Sequence, residues 1–307
     1  MHIYLPIAEL SANALHLILL GGLAGLLAGL FGLGGGFIMT PMLIFMGVPA
    51  AVSVATSTNM MVASSFSGFL HHLKHKRVDL VIGNYLIAGG LMGTLAGVWM
   101  FARLQRVGQI DLMINLLYIS LLTTISVLML REARHILRAR RAGQSHAEFS
   151  AVTLPRWVTA LPWQVTFERS GITHSALVPI AIGIFSGLLV GLLGVGGGFI
   201  TIPLMIYVLR MPLNVTVGTS LFQIIFLTGA ATILHALTTH AVDIVLAGLL
   251  LLGSVIGAQY GARLSHRIPN YILRLTLAAL LLLVAGRLAY GLFVTPTDIF
   301  TLVTVAA

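Results

Sequence analysis

A glycine-rich motif that occurs twice constrains the fold of this chain more than any other sequence feature. The first copy is residues 32–38 (GLGGGFI), and the second is residues 194–200 (GVGGGFI), 162 positions later. Each copy lies inside a long apolar stretch, and a proline follows each of them, at Pro41 and Pro203. The chain is therefore predicted to consist of two homologous halves.

Other landmarks repeat with the same order and nearly the same spacing. Each half has a Thr-Ser pair, a later aspartate and a closing set of glycines spaced four residues apart. In the first half these are Thr56, Ser57, Asp79, Gly89, Gly93 and Gly97, and in the second half Thr219, Ser220, Asp243, Gly253, Gly257 and Gly261. Glycines at this spacing form a small helix face, which favours close helix packing.

The composition places most of the chain in a membrane. Hydrophobic residues make up 58%, charged residues only 8%, and the mean hydropathy is +1.03, which is too apolar for a soluble globule. Apolar runs of about 20 residues, the length of a membrane-spanning helix, occur near 54–72, 80–101, 111–130, 217–239, 243–264 and 271–294. Two longer stretches, near 14–48 and 176–209, are interrupted at the glycine motifs. The predicted fold is an all-α polytopic membrane protein with about 8 to 10 segments.

Charge and cysteine content exclude several kinds of partner. The net charge is +9, but the basic residues lie in loops between apolar runs, so membrane orientation explains them better than nucleic acid does. The chain has no cysteine, which excludes disulfides and thiolate metal sites. The stretch from Leu15 onward is expected to be a retained first helix, because no basic region and cleavage site mark a signal peptide.

The basic residues also predict the domain organisation and the orientation. We expect a first transmembrane repeat at 1–130, a basic cytoplasmic linker at 131–174 and a second repeat at 175–307. With five segments per repeat and the linker inside, 14 of the 17 basic residues are cytoplasmic, whereas four segments per repeat leave only 11 inside. The first count fits the positive-inside rule better, and it makes the repeats inverted. The bacterial plasma membrane is the expected location.

The glycine motifs predict broken helices and an anion site. Three consecutive glycines interrupt a helix, and the amide-rich start of the next half-helix attracts anions. Residues 37–45 and 199–207 are the expected half-helices, and two inverted halves would direct both starts at one site near the membrane midplane. Close packing on small residues is the alternative. The substrate-binding candidates at the motifs are Gly34, Gly35, Gly36, Phe37, Gly196, Gly197, Gly198 and Phe199.

Polar side chains on the helices that follow complete the predicted site. Hydroxyl and amide groups can bind oxyanions without the tight pairing that arginine would give. Bonding to the helix backbone or to a neighbouring helix is the alternative role for these groups. The further substrate-binding candidates are Thr56, Ser57, Asn59, Thr219, Ser220 and Gln223.

Two histidines and two aspartates are candidates for proton coupling. His72 and His235 occupy equivalent positions, and Asp79 and Asp243 follow them. Histidine titrates near physiological pH and could carry a coupling proton, although histidine near a helix end is also ordinary at a membrane interface. His71 and His75 have the spacing of metal ligands, but the cations around them disfavour a metal, so we predict no metal and no cofactor.

These residues together resemble the TauE/SafE family, described as sulfite exporters. The resemblance rests on the paired glycine motifs with their prolines, the duplication, the two Thr-Ser pairs and the late glycine triads, and it covers nearly everything outside the linker. It implies a plasma-membrane secondary transporter that exports sulfite, organosulfonates or related small anions, driven by the proton gradient. The lipid bilayer, a small anion and protons are the implied partners.

Two other functions are compatible with the same residues. An anion channel could have the same glycine breaks along a pore, and a membrane scaffold would need no substrate. An enzyme is disfavoured, because none of the eight acidic residues lies deep within a predicted span. The sequence leaves the anion, the direction of transport and the oligomeric state open.

Overall fold

The computed structural model describes residues 2–31, 34–141, 162–167, 169–265 and 270–293. Within these ranges the chain forms ten helices and two short β-hairpins, and the two halves contain the same elements in the same order. The first half comprises β1 His2–Leu5, β2 Leu10–Asn13, α1 Ala14–Phe31, α2 Gly36–Phe45, α3 Ala50–Lys74, α4 Leu80–Arg106 and α5 Ile110–Arg141. The second comprises β3 Gln164–Phe167, β4 Ile172–Ser175, α6 Leu177–Leu193, α7 Gly198–Tyr207, α8 Leu213–Thr238, α9 Ile244–Ser265 and α10 Asn270–Phe293.

Six of the helices are long and apolar enough to cross a membrane. They lie at Ala14–Phe31, Leu80–Arg106, Ile110–Arg131, Val215–Thr238, Ile244–Leu264 and Leu275–Leu292. The prediction of an all-α polytopic membrane protein is confirmed. Large apolar side chains on the outside of these helices, such as Leu19, Trp99 and Leu283, are more than half exposed, as expected for surfaces that face lipid.

Helix α3 differs from the predicted run at 54–72, because it is not among those six helices. It is 25 residues long, but hydroxyl residues make it too polar by composition. Six of its hydroxyl side chains are buried: Ser53, Thr56, Ser57, Thr58, Ser64 and Ser65. A central helix can carry these groups because protein, and not lipid, surrounds them.

Helices α3 and α8 pack against each other in antiparallel orientation at the centre of the molecule. Thr232 on α8 donates a hydrogen bond of 3.0 Å to the Thr58 hydroxyl near the start of α3. Toward the other end of the pair, the Phe69 and Phe222 rings stack with centroids 5.4 Å apart. Because the two helices hold equivalent places in their halves, one half runs opposite to the other.

The outer helices exchange partners between the halves. Helix α1 packs along α9, and helix α4 packs along α6, so the first helix of each half lies against the fourth helix of the other. The late glycines lie at these crossings: a Cβ on Gly257 would overlap the Gly22 carbonyl, and one on Gly93 would overlap the Ile184 carbonyl. The two halves are therefore interlocked, with backbone in direct contact with backbone.

Each β-hairpin is fastened to an aspartate of the opposite half, and we call these two contacts the hairpin latches. In the first, the Asp243 carboxylate accepts hydrogen bonds from the Ile7 and Ala8 amides, at 3.0 and 3.3 Å. Its other oxygen accepts from the Leu246 amide at 3.0 Å, which caps the start of α9. The Asp243 amide donates to the Thr56 hydroxyl at 3.1 Å.

The second hairpin latch repeats this arrangement at Asp79. Its carboxylate accepts a 2.6 Å hydrogen bond from Ser170 in the turn between β3 and β4. It also accepts from the Val81 and Ile82 amides, both at 3.1 Å, at the start of α4. The Asp79 amide donates to the Thr219 hydroxyl at 2.9 Å. Both aspartates and both threonines are buried.

Replacing a latch aspartate should destabilise the protein. In Asp243→Ala, three backbone amides lose their acceptor and α9 loses its cap, so we expect a cost of about 2 to 3 kcal/mol. The measurement is thermal unfolding of the purified protein in detergent. The matched control is Asp111→Ala, which removes an exposed aspartate from the first turn of α5 and should cost less than about 0.5 kcal/mol. An equal decrease in melting temperature for both variants would contradict the latch.

The predicted linker at 131–174 has secondary structure at both of its ends. Residues up to Arg141 continue α5, and β3 and β4 form an antiparallel hairpin in which Gln164 pairs with Ser175. Because β1 and β2 precede α1 in the same way that β3 and β4 precede α6, the hairpin belongs with the second half. Residues 142–161 of the predicted linker lie outside the described residues.

Candidate functional site

Both glycine motifs interrupt a helix, and at each break a glycine has a positive φ angle. Helix α1 ends at Phe31 and α2 begins at Gly36, while Gly32 and Leu33 lie outside the described residues. Helix α6 ends at Leu193 and α7 begins at Gly198. The residues before the two short helices, Gly35 and Gly197, have φ angles of 78° and 66°. Side chains are strained at such angles, which explains why glycine is needed at both positions.

The two breaks meet at the centre of the molecule. The Phe37 and Phe199 rings, each in the first turn of its short helix, stack with centroids 5.4 Å apart and an interplanar angle of 7°. A Cβ built on Gly36 would lie 2.6 Å from the Gly194 carbonyl oxygen, so the backbones of the two motifs are in direct contact. The starts of α2 and α7 therefore lie side by side in a fully buried region.

This arrangement brings two sets of helix-start amides together. The first amides of any helix have no acceptor within that helix, and they carry the positive end of the helix dipole. Helices α2 and α7 are each ten residues long, long enough for this dipole to form. Two such ends inside the protein are expected to favour negative charge without a charged side chain, although the first amide of α7, that of Gly198, already donates to the Gly196 carbonyl at 2.7 Å.

Two serines of α3 lie beside the first break. The Ser64 hydroxyl oxygen lies 3.4 Å from the Gly34 carbonyl oxygen and 3.3 Å from the Met61 carbonyl oxygen, so its single hydrogen can be donated to either. The Ser65 hydroxyl is fully buried and has no hydrogen-bond partner. It lies 3.4 Å from the position of a Cβ on Gly34, so it is directed at the break.

A glutamine and a serine lie beside the second break. The Gln223 side-chain amide on α8 donates to the Ser186 hydroxyl on α6 at 2.6 Å. The Ser186 Cβ lies 3.5 Å from the position of a Cβ on Gly197, so this pair lies next to the start of α7. Gln223 Oε1 and the hydroxyl of Thr201, one turn into α7, are buried without a hydrogen-bond partner.

Buried polar atoms without partners are costly, which makes their position at the two breaks informative. Each costs about 1 to 3 kcal/mol relative to a satisfied group. Three of those in the described residues, on Ser65, Thr201 and Gln223, lie beside the glycine breaks. A ligand or water that hydrogen-bonds there would remove this cost.

The structure brings together some of the predicted site residues and separates others. Among the predicted site residues, the glycines of both motifs, Phe37, Phe199 and Gln223 lie together. Thr56 and Thr219 lie in the hairpin latches, and Asn59 is partly exposed on α3. Their role in binding substrate stays a prediction.

The two predicted serines have partners within the protein. Ser57 shares a 2.7 Å hydrogen bond with Thr40 of α2 and donates to the Val54 carbonyl at 3.0 Å. Ser220 donates to the Val217 carbonyl at 2.9 Å. Ser57 thus connects α3 to the short helix α2, whereas the hydrogen bond from Ser220 to Val217 stays within α8.

Sequence reasoning missed Ser64, Ser65, Ser186 and Thr201. Ser65 follows the Thr-Ser pair by two helical turns, so helical spacing could have found it. Ser186 is a lone polar residue in an apolar run. Its position eight residues before the second glycine motif is the one sequence feature that could have identified it.

The candidates for proton coupling lie in different environments. Asp79 and Asp243 form the hairpin latches. His235 is fully buried, its ring packs edge-on against Phe101 with centroids 4.6 Å apart, and its Nε2 lies 3.0 Å from the Gly191 carbonyl oxygen. Because a carbonyl only accepts, Nε2 carries the hydrogen. His72 is only partly buried, so the equivalent histidines are not in equivalent surroundings.

Among the described residues, no group of three histidine, aspartate or glutamate side chains is placed to hold a metal ion. His71 and His75 do approach each other, with ring centroids 4.7 Å apart. However, His75 Nδ1 donates to the His71 carbonyl at 2.8 Å. This local backbone contact uses a ring nitrogen that a metal ion would otherwise need.

Comparison with known proteins identifies the family. The family model described as "Sulfite exporter TauE/SafE" matches residues 17–288. The chain belongs to the TauE/SafE family. The match contains both glycine breaks, helices α2 to α9 completely and most of α1 and α10. The resemblance inferred from the motifs is confirmed. As a member of this family, the protein is a membrane transporter.

Similar curated proteins are also named as transporters. The chain is 26% identical over 286 residues to "Probable membrane transporter protein YunE" of Bacillus subtilis, covering 90% of this chain and 98% of that protein. It is 27% identical over 272 residues to "Probable membrane transporter protein YjnA" of the same organism, covering 88% and 97%. A shorter match, 37% over 98 residues, is to "Sulfite exporter TauE/SafE family protein 3" of Arabidopsis thaliana, covering 32% of this chain and 21% of that protein. No solved structure matches this TauE/SafE member significantly.

Proposed function

We propose that this TauE/SafE protein is a secondary transporter that exports small anions, namely sulfite, organosulfonates or related oxyanions, across the plasma membrane. The observation that carries the proposal is the meeting of two helix starts at the glycine breaks, with the Phe37 and Phe199 rings 5.4 Å apart. The unpartnered hydroxyls of Ser65 and Thr201, which can donate to an anion, lie beside them. Helix-start amides and neutral polar groups together favour an anion in a region that excludes water.

Binding without a fixed positive charge suits a transporter. The polar side chains at the glycine breaks are neutral, so dipoles and hydrogen bonds would hold the substrate. They belong to Ser64, Ser65, Ser186, Thr201 and Gln223. A buried ion pair with arginine would bind more tightly and release more slowly. Moderate affinity allows the anion to leave on the far side of the membrane.

The inverted arrangement supports alternating access. Thr56 of one hairpin latch lies near the start of α3. Thr219 of the other latch lies beside the opposite end of α3, because its neighbour Gly218 packs against His72 near that end. The sixteen residues from 56 to 72 correspond to roughly 24 Å along the helix. We propose that the latches close opposite faces of the membrane and that the linker is cytoplasmic, as the positive-inside rule predicts.

Transport by the purified protein in proteoliposomes tests the proposal. We expect saturable uptake of radiolabelled sulfite and a short sulfonate, increased by an imposed pH gradient and accelerated by unlabelled substrate on the opposite side. Acceleration by substrate on the opposite side is a property of an alternating carrier, and a channel would show flux that depends only on the driving force. If no anion moves into protein-containing vesicles faster than into empty ones, the proposed function is wrong.

His235 is the better placed of the two histidines to couple protons to transport. Its Nε2 donates a hydrogen bond to the carbonyl of Gly191, three residues before the second glycine break. Its Nδ1 is buried without a hydrogen-bond partner. We expect His235→Gln, which keeps a donor for Gly191, to retain exchange of labelled substrate and to lose accumulation driven by a pH gradient.

The partly buried His72 provides the matched control for this variant. We expect His72→Gln to retain most of the accumulation that the pH gradient drives, measured in the same vesicles. If His235→Gln accumulates substrate as the unmodified protein does, His235 has no part in coupling.

A further inference from the structure

The two half-sites at the glycine breaks differ in their polar groups. Ser186 and Gln223 of the second half correspond to Ala24 and Met60 of the first half, given the spacing of 162 residues up to the motif and 163 at the Thr-Ser pair. Ala24 and Met60 are buried in one apolar cluster. Only the second break therefore has an amide-hydroxyl pair at these positions.

The hydrogen bonds of this pair fix which atom of the glutamine remains free. The Ser186 hydroxyl donates its single hydrogen to the Gly183 carbonyl at 2.9 Å, so its oxygen can only accept from Gln223. The Gln223 amide group donates to it at 2.6 Å. Gln223 Oε1 therefore faces away from Ser186 as an unpartnered acceptor, fully buried, on a residue held beside the start of α7.

A buried acceptor has a consequence for the ligand. The oxygens of a sulfonate or carboxylate are themselves acceptors, so they cannot satisfy Gln223 Oε1, although they can satisfy the helix-start amides and the Ser65 hydroxyl. A ligand that carries a hydrogen-bond donor in addition to its anionic group can satisfy both. A site built around an unpaired polar atom discriminates strongly against a ligand that leaves it unpaired.

We infer that Gln223, positioned by Ser186, selects small anions that also carry a hydrogen-bond donor, such as a hydroxyl group, over anions of the same size without one. This inference rests on the proposed anion site and specifies its substrate class. The anionic group would lie at the helix starts, and the donor would be directed at Gln223 Oε1.

Two sulfonates of similar size provide the test. 2-Hydroxyethanesulfonate carries a hydroxyl where propane-1-sulfonate carries a methyl group. We expect the hydroxylated anion to displace bound radiolabelled 2-hydroxyethanesulfonate from the purified protein at an about ten-fold lower concentration, the factor for one well-formed hydrogen bond. Equal displacement, or no specific binding of the label, would overturn the inference.

Variants that copy the first half give the matched comparison. In Gln223→Met, a change of similar volume, the ratio of the two concentrations should fall to about one. In Ser186→Ala the glutamine loses its anchor, and the ratio should decrease. Ser254→Ala is the control, because Ser254 is a buried serine that donates to the Leu251 carbonyl at 3.1 Å but lies at the crossing of α1 and α9. A ten-fold ratio that persists in Gln223→Met would exclude Gln223 as the selecting residue.

Sulfite transport in proteoliposomes made from the same preparation separates the inference about Gln223 from the proposed function. Sulfite transport without a preference for the hydroxylated sulfonate would overturn the inference and leave the proposed function standing. A ten-fold preference in binding without transport of any anion would support the acceptor at Gln223 and overturn the proposed function.

Discussion

Gly257→Leu should prevent this protein from reaching its native fold. A Cβ at this position would overlap the Gly22 carbonyl and lie 2.8 Å from the Leu26 amide nitrogen. Both atoms belong to the backbone of α1, so no side-chain rotation can relieve the overlap. We expect a loss of about 3 kcal/mol or more, at the upper end of the range for overpacked cores. The measurements are the yield of monodisperse protein in detergent and its thermal unfolding.

The same helix offers a matched control for this substitution. Gly248 also lies in α9, but it is exposed and has nothing within 4 Å of its Cβ position. Gly248→Leu should change stability by no more than about 0.5 kcal/mol, because it adds an apolar side chain on a lipid-facing surface. If Gly257→Leu yields as much folded protein as Gly248→Leu, the close crossing of α1 and α9 is wrong.

Gly35→Leu and Gly197→Leu should abolish transport in protein that still inserts into the membrane. Gly35 has a φ of 78°, and a Cβ there would lie 2.9 Å from the Ala24 carbonyl. Gly197 has a φ of 66°, and its Cβ would lie 3.1 Å from Val190. A side chain costs about 1 to 2 kcal/mol at such angles, and relief of the strain would rotate the starts of α2 and α7 away from each other. Proteoliposome uptake, normalised to inserted protein, measures the effect.

Gly108 separates strain from function in this experiment. It has a φ of 73° between α4 and α5, and nothing lies within 4 Å of its Cβ position. Gly108→Leu therefore carries the same backbone strain far from the glycine breaks, and we expect it to retain transport. A membrane scaffold without a substrate would instead tolerate all three substitutions, and retained function in Gly35→Leu and Gly197→Leu would favour that alternative.

The breaks and the apolar helices could be predicted because their signals are local. Three consecutive glycines interrupt a helix wherever they occur, and the half-helices predicted at 37–45 and 199–207 correspond to α2 and α7 within one residue. Apolar runs of about 20 residues likewise indicate membrane-spanning helices without any knowledge of their neighbours. The run predicted at 54–72 is the exception, because α3 is not among the six helices that are apolar enough to span a membrane. Its serines and threonines lower its hydropathy, and they are buried by contacts that hydropathy does not measure.

The hairpins and the helix pairing could not be predicted, because they depend on contacts between the halves. Strands of four residues give too weak an alternation to be recognised. Asp79 and Asp243 follow the histidines in sequence, which suggested proton coupling, and only the fold shows that they bind the hairpins of the opposite half. The glycine faces of α1, α4, α6 and α9 resemble one another, so composition alone could not show that α1 packs on α9.

The exchange of helices between the halves has a consequence for biosynthesis. Gly21 of α1 contacts Leu250 of α9, so the partner of the first helix is made more than two hundred residues later. At about 5 to 20 residues per second, α1 spends roughly 10 to 50 seconds in the membrane before α9 leaves the ribosome. During that interval its small-residue face lies against lipid or against the insertion machinery. A nascent chain that stops before α9 would leave this face of α1 without its partner.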